Sequence, residues 1–205
     1  MSEKMYLYPA WTRLWHAINA ILCLALIVTG FSMLYSNPDR FVVNFSSAVA
    51  IHNVAGVLLT INYFVFFVGN MFTSNGKHYK LALKGLGQRL FLQMRYYALG
   101  YFKGQESPYP VTTEQKFNPL QQVSYVGVMY GIMFVLFVTG WGLLFPEFIL
   151  KKLLGFSGIF LTAQLHVIMG FLIFVFLFVH LYVSTMGVTV ASNFKSIVNG
   201  WQEKH

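Results

Sequence analysis

The chain has 205 residues, of which 57% are hydrophobic, 18% aromatic and only 10% charged. That balance excludes a water-soluble globule, because so few ionisable side chains could not cover the surface of a domain of this size. The net charge of +8 comes from residues between long apolar runs, so it indicates membrane topology and no nucleic-acid partner. The single cysteine, Cys23, excludes an intrachain disulfide and a cysteine-ligated cluster.

Long stretches without charge predict four transmembrane helices, near residues 14–36, 47–72, 122–145 and 160–187. Each exceeds the roughly 20 residues that cross a bilayer core. We expect the first helix to be retained, because the run ends in Tyr-Ser-Asn-Pro at residues 35–38 without a small-residue cleavage site. The predicted fold class is therefore all-α: an up-down bundle of four transmembrane helices forming one domain over residues 1–205.

The basic residues predict the orientation of this bundle. Eleven of the 14 Lys and Arg residues flank the two chain ends or lie between the second and third spans. The positive-inside rule then places both termini in the cytoplasm. Residues 79–102 of the central connection mix Leu and Phe with spaced Lys and Arg, which predicts an amphipathic helix on the inner leaflet. Gly85, Gly87 and Gly100 weaken it as one continuous helix.

Four of the six histidines lie in or at the ends of predicted spans: His16, His52, His166 and His180. A lone intramembrane histidine can simply be a hydrogen-bonding residue between helices, but four need another account. His166 and His180 are 14 residues apart, which places them on one helix face about 21 Å apart along the axis. One metal cannot bind both, so two sites are predicted.

The topology pairs these two histidines with the other two. His16 in the first span and His180 in the fourth lie toward the cytoplasmic ends, whereas His52 and His166 both open their spans on the outer side. Two histidine pairs stacked inside a four-helix bundle are the arrangement expected for two haems b with paired imidazole ligands.

Other interpretations of the histidines are weaker. Zinc sites ordinarily add carboxylate or thiolate ligands, and no Asp or Glu lies within these spans. Four unrelated hydrogen-bonding histidines would not match in depth. Gly56 and Gly170 each follow a histidine by four residues, which would leave room for a flat ring. His78, in a basic segment after the second span, is expected to be a solvated loop residue, with contact to quinone or lipid as the alternative. Neither it nor His205 is predicted to be a ligand.

The first and third spans share a short echo. Residues 26–30 read Leu-Ile-Val-Thr-Gly and residues 136–140 read Leu-Phe-Val-Thr-Gly. Small residues suit close helix contact. Five positions are too few to infer a duplication.

These residues resemble a known family, the bacterial four-helix di-haem cytochrome b subunits, which include the formate dehydrogenase gamma subunit, the Ni,Fe-hydrogenase b-type cytochrome and the thiosulfate reductase cytochrome b. The resemblance covers nearly the whole chain. It depends on the Arg-Leu-Trp-His-Ala-Ile-Asn-Ala segment at residues 13–20, on His52, on Lys116-Phe117-Asn118, on Phe-Val-Thr-Gly at residues 137–140, and on the last two histidines. Their spacing of 14 is the most specific of these features.

The resemblance implies ligand pairs that agree with the depth argument: His16 with His180, and His52 with His166. It also implies a quinone site that includes Asn118, whose amide could hold a quinone carbonyl. Asn118 precedes Pro119 and is also expected to be the N-cap of the third span. Arg13 is either a positive-inside anchor or a partner of a haem propionate.

The predicted function is therefore a membrane-anchor cytochrome b with two haems b, located in the bacterial inner membrane. It would transfer electrons between the quinone pool, as menaquinone or ubiquinone, and a periplasmic iron–sulfur or c-type cytochrome oxidoreductase subunit. An alternative is a stand-alone di-haem oxidoreductase of the cytochrome b561 type, which passes electrons between quinone and a small reductant or superoxide. A haem-free anchor or transporter is a third hypothesis.

Overall fold

The computed structural model describes residues 4–36, 43–153 and 155–203. Four helical spans within them are long and apolar enough to cross a membrane: Ala10–Leu34, Phe45–Phe72, Pro119–Leu144 and Gly158–Ser184. The shortest has 25 residues and rises about 37 Å, more than the roughly 30 Å of hydrocarbon in a bilayer. The predicted all-α fold with four membrane helices is confirmed. The cytoplasmic location of the termini stays a prediction.

The described elements begin and end with a short β-strand. In chain order they are β1 (Lys4–Tyr6), α1 (Ala10–Leu34), α2 (Phe45–Phe72), α3 (Leu86–Arg95), α4 (Pro119–Val126), α5 (Met133–Leu144), β2 (Lys152–Leu153), β3 (Phe156–Ser157), α6 (Gly158–Ser184), α7 (Ser192–Asn199) and β4 (Trp201–Glu203). Short 3₁₀ turns cover Ser74–Tyr79, Tyr101–Lys103 and Pro146–Phe148, and wider π turns cover Tyr96–Gly100 and Gly127–Ile132.

The third span begins at a complete capping box. The Asn118 side chain accepts a hydrogen bond from the Gln121 amide at 3.0 Å, and the Gln121 side chain accepts from the Asn118 amide at 3.1 Å. Pro119 occupies the first helical position, where its missing N–H costs nothing. The prediction that Asn118 caps this span is confirmed.

The amphipathic segment between the second and third spans is shorter than predicted. Its helix begins at Leu86 and not near residue 79, because Gly85 has a φ of 68° and breaks the helical path. In α3 the side chain of Gln93 is buried while Phe91 and Met94 are exposed. An apolar outer face of this kind suits a membrane surface.

The chain divides into two compact units. The bundle unit comprises Trp15–Phe67 and Met129–Leu177. The polar unit comprises Met1–Leu14, Val68–Val128 and Phe178–His205.

In the bundle unit the four helices form a closed ring, α1 to α2 to α5 to α6 and back to α1. Trp15 and Asn62 join α1 to α2, Trp141 donates from α5 to the Thr60 hydroxyl of α2 at 3.2 Å, and Phe31 meets Phe174 of α6 with ring centres 4.8 Å apart. Gly142 of α5 lies against Thr162 of α6. Because α2 and α6 are not neighbours in this ring, side chains that join them cross its interior.

In the polar unit the two ends of the described chain pair with each other. Strand β1 is antiparallel to β4, with Lys4 opposite Glu203 and Tyr6 opposite Trp201. Many polar side chains of this unit are buried: Thr12, Asn75, His78, Gln93, Lys116, Asn118, Ser192, Ser196 and Gln202. The pairing places both described ends on one side of the membrane, as an even number of spans requires.

We expect Asn62→Leu to loosen the contact between α1 and α2. The Trp15 indole donates to the backbone carbonyl of Asn62 at 3.0 Å, and the side-chain amide of Asn62 donates to the backbone carbonyl of Trp15 at 3.3 Å. Loss of the second bond should lower the free energy of unfolding in detergent by about 1 kcal/mol, as for other interhelical bonds in membranes. Asn53→Leu at an exposed position of the same helix is the matched control. An equal decrease in the free energy of unfolding in both variants would show that Asn62 does not join α1 to α2.

Candidate functional site

The structure brings His52 and His166 together across the interior of the bundle unit. Their ring centres are 6.2 Å apart and the rings are inclined by 70°. A metal on the line between two imidazoles lies about 2 Å from each nearer nitrogen, so it needs roughly 6 Å between the ring centres. The spacing therefore fits a metal held between two axial imidazoles.

Each of these histidines is held from behind by a threonine on another helix. Thr29 Oγ1 of α1 lies 2.9 Å from Nδ1 of His52, and Thr139 Oγ1 of α5 lies 2.9 Å from Nδ1 of His166. In both rings the contact uses Nδ1, so Nε2 is the nitrogen left for a metal. All four helices thus contribute to one site, two with a histidine and two with a threonine.

The glycine after each threonine allows the imidazole to approach its helix. A Cβ atom at Gly30 would lie 3.6 Å from Cε1 of His52, and one at Gly140 only 3.2 Å from Cε1 of His166. Gly56 and Gly170 are different, since a Cβ atom at either would meet nothing within 4 Å. That open space beside both histidines suits a flat ring.

His16 and His180 fall in different units, so their predicted pairing stays a prediction. His16 is half-buried in the bundle unit, with its ring 6.5 Å from that of Trp15. His180 is half-buried in the polar unit, with its ring 6.0 Å from the Tyr125 ring, and its carbonyl accepts a hydrogen bond from Ser184.

Asn118 lies in a buried polar group. Besides capping α4, its amide donates to the Tyr97 hydroxyl at 2.6 Å, and the Gln93 side chain also bonds to Tyr97. Burial raises the pKa of Tyr97 above its ordinary value, so the phenol stays protonated. The Gln93 Oε1 is buried and has no hydrogen-bond partner in the described part of the chain. An unsatisfied acceptor beside a phenol and an amide suits a hydroxyl-bearing ligand.

The prediction that His78 is a solvated loop residue is wrong. Its side chain is only 5% exposed and meets the Phe117 ring, because the 3₁₀ turn at residues 74–79 folds this basic segment inward. Burial, together with the Lys116 and Lys77 cations, lowers the pKa of His78 to about 4. The Lys116 ammonium donates to Asn75 Oδ1 at 3.1 Å, and burial lowers its pKa as well.

Arg13 lies against the end of the chain, where its guanidinium donates to the Val198 carbonyl. Its Nε is buried and has no hydrogen-bond partner among the described residues. That donor could serve an anionic group, so a propionate partner remains a proposal. His205 lies outside the described residues.

The donor set favours a metal that brings its own equatorial ligands. Among the described residues no three His, Cys, Asp or Glu side chains gather at one point, whereas a structural zinc takes four ligands. Sequence reasoning identified the histidines but missed Thr29 and Thr139. The Val-Thr-Gly echo was the signal that could have identified them.

We expect Gly140→Ala to disturb the His166 ring and Gly30→Ala to be tolerated. The new methyl would press on His166 by a few tenths of an ångström in the first variant and make an ordinary contact with His52 in the second. Displacing a ligand from its supported position typically weakens metal binding at least tenfold. Haem content of the purified variants measures the difference. Equal haem content in the two variants would show that the closer approach of His166 to Gly140 has no effect on haem binding.

Comparison with known proteins agrees with this site. The chain is 39% identical over 201 residues to "Putative cytochrome YdhU" of Escherichia coli, which covers 98% of this chain and 75% of that protein. It is 27% identical over 153 residues to "Probable Ni/Fe-hydrogenase B-type cytochrome subunit" of Rhodobacter capsulatus, covering 68% of this chain and 55% of that protein. No solved structure matches.

The family comparison covers nearly the whole chain. The sequence model described as "Prokaryotic cytochrome b561" matches residues 7–200. This confirms the resemblance drawn from the histidines, at the level of the family. The chain therefore belongs to the prokaryotic cytochrome b561 family, whose members are membrane cytochromes with b-type haem.

Proposed function

We propose that this membrane cytochrome binds two haems b and transfers electrons between a periplasmic oxidoreductase partner and the quinone pool of the bacterial inner membrane. The single observation that carries the proposal is the pair His52 and His166, whose ring centres lie 6.2 Å apart inside the four-helix ring. Iron in a haem bound between two imidazoles is low-spin and suited to electron transfer rather than to oxygen chemistry.

The residues of this chain bind and orient the haem at that site. His52 and His166 would hold the haem iron through their Nε2 atoms, and the open space beside Gly56 and Gly170 would leave room for its ring. The apolar side chains of α1, α2, α5 and α6 keep water away from it. When bound, the haem supplies one-electron chemistry, and the protein adjusts its potential through ligands, hydrogen bonds and burial.

The second haem is proposed between His16 and His180. The family resemblance and the spacing of 14 residues on α6 support this pair. Arg13 precedes His16 by three residues, on the same side of α1, and its buried Nε is a donor suited to a haem propionate. The basic residues near both chain ends support a position of this haem on the cytoplasmic side.

Quinone is proposed to bind near Asn118. The amide of Asn118, the Tyr97 hydroxyl and the unsatisfied Oε1 of Gln93 offer the donors and acceptors that a quinone and a quinol need in turn. The Lys116 and His78 side chains lie in the same buried region, and the pKa of both is lowered. At neutral pH His78 is therefore uncharged.

The proposed partner is a periplasmic redox enzyme. One relative is named as a B-type cytochrome subunit of a Ni/Fe-hydrogenase, which supports a subunit role here. The rival hypothesis, a stand-alone di-haem oxidoreductase, predicts that the isolated chain turns over quinone with a small reductant. A subunit would instead co-purify with an iron–sulfur or c-type cytochrome protein.

We expect two low-spin haems b per chain, and one after His166→Ala or His180→Ala. Each substitution removes one axial ligand, and the two losses should affect different sites. Pyridine haemochrome assay against protein concentration gives the ratio, and optical redox titration shows which component is lost. A ratio near one in the unmodified chain would contradict the di-haem proposal. If one variant lost both haems while the other lost only one, the result would indicate that binding at the two sites is coupled.

We expect Asn118→Ser to slow quinol oxidation about tenfold while both haems stay bound. Serine retains an N-cap oxygen but removes the amide that the proposal assigns to quinone. Asn118→Ala, which also removes the cap, should add a loss of stability of about 1 kcal/mol. Stopped-flow oxidation of a quinol analogue measures the rate. Unchanged kinetics in the serine variant would limit Asn118 to capping.

A further inference from the structure

Thr29 and Thr139 each use the hydrogen of the hydroxyl on their own helix. Thr29 Oγ1 donates to the Ala25 carbonyl at 2.7 Å, with the Leu26 carbonyl at 3.3 Å. Thr139 Oγ1 donates to the Val135 carbonyl at 2.7 Å, with the Leu136 carbonyl at 3.2 Å. A carbonyl oxygen can only accept, so a contact of 2.7 Å requires the hydroxyl hydrogen to lie between the two oxygens.

A hydroxyl has only one hydrogen, so each threonine oxygen faces its histidine as an acceptor. The two contacts of 2.9 Å to Nδ1 of His52 and Nδ1 of His166 must then carry the hydrogen of the imidazole. The Leu26 and Leu136 carbonyls also accept hydrogen bonds from these two rings. In a neutral imidazole with hydrogen on Nδ1, the lone pair lies on Nε2. The geometry therefore selects the tautomer that presents Nε2 to a metal.

We propose that Thr29 and Thr139 are positioning residues that fix His52 and His166 as Nδ1–H tautomers and set the reduction potential of the haem between them. The inference deepens the proposed function and rests on it. Neither threonine would contact the haem iron. Each acts through the imidazole that it holds.

The chemical effect has a definite sign. Accepting a hydrogen bond from Nδ1–H makes the imidazole a more basic ligand, and a more basic ligand stabilises the ferric iron over the ferrous iron. Removing the acceptor should therefore raise the reduction potential. The two threonines act on opposite axial ligands from different helices, α1 and α5, so their effects should be close to additive.

The test replaces each threonine by a residue of nearly the same shape. Thr29→Val, Thr139→Val and the double variant remove the acceptor, whereas Thr29→Ser and Thr139→Ser retain it. Thr162→Val is the matched control, because the Thr162 hydroxyl makes the same type of bond, to the Gly158 carbonyl at 2.9 Å. The purified haem-loaded protein is titrated optically, following the component that His166→Ala removes.

We expect each valine variant to raise the reduced-to-oxidised ratio of that haem several-fold at a fixed ambient potential, and the double variant roughly tenfold. A tenfold change corresponds to about 59 mV for one electron. The serine variants and Thr162→Val should match the unmodified protein. If the haem is lost from a valine variant and retained in the serine variant, the positioning role is likewise supported.

Two results would overturn the inference. One is an unchanged potential in the double valine variant with full haem content. The other is a matching loss of haem in the valine and serine variants at one position, which indicates a steric role. A chain without haem in its unmodified form would contradict the proposed function instead. In that case ¹⁵N shifts of the two histidines in the haem-free protein still report the tautomer, and Nε2–H would overturn the inference by itself.

Discussion

The arrangement of the bundle depends on one constraint, that an imidazole inside a membrane needs a hydrogen-bond partner for every ring N–H. His52 and His166 satisfy it through Thr29 and Thr139, at 2.9 Å in both cases. Because each threonine belongs to a different helix from its histidine, the same bonds that satisfy the rings also join α1 to α2 and α5 to α6. His52 and His166 then join the diagonal pair α2 and α6 across the interior of the ring.

This arrangement divides the bundle into two equivalent halves. In each half a helix carrying Thr-Gly lies beside a helix carrying histidine, and the glycine lets the ring approach its neighbour closely. The echo between residues 26–30 and 136–140 thus has a physical meaning, since both segments perform the same task for the two sides of one site. The threonine bonds to carbonyls four residues earlier add no unsatisfied group, because each hydroxyl both donates and accepts.

Much of this could be predicted from the sequence, because a membrane span requires only length and the absence of charge, and both are visible in a single chain. The approach of His52 to His166 also followed from depth, which depends on counting residues along helices. The inward fold of His78 could not be predicted, since a short 3₁₀ turn and the packing of Phe117 determine it. The start of α3 could not be predicted either. The sequence shows a glycine at position 85, but the left-handed conformation of Gly85 depends on tertiary context.

The pairing of β1 with β4 has a consequence for how the protein is made. The amides of Leu7 and Tyr8 both donate to the carbonyl of Gly200, at 2.9 and 3.2 Å, so residues that precede the first span bond to a residue that follows the fourth. These backbone groups must stay hydrated until all four spans have been inserted. The polar unit can therefore be completed only after the fourth span and α7 have been synthesised, so β1 pairs with β4 late in the assembly of the bundle.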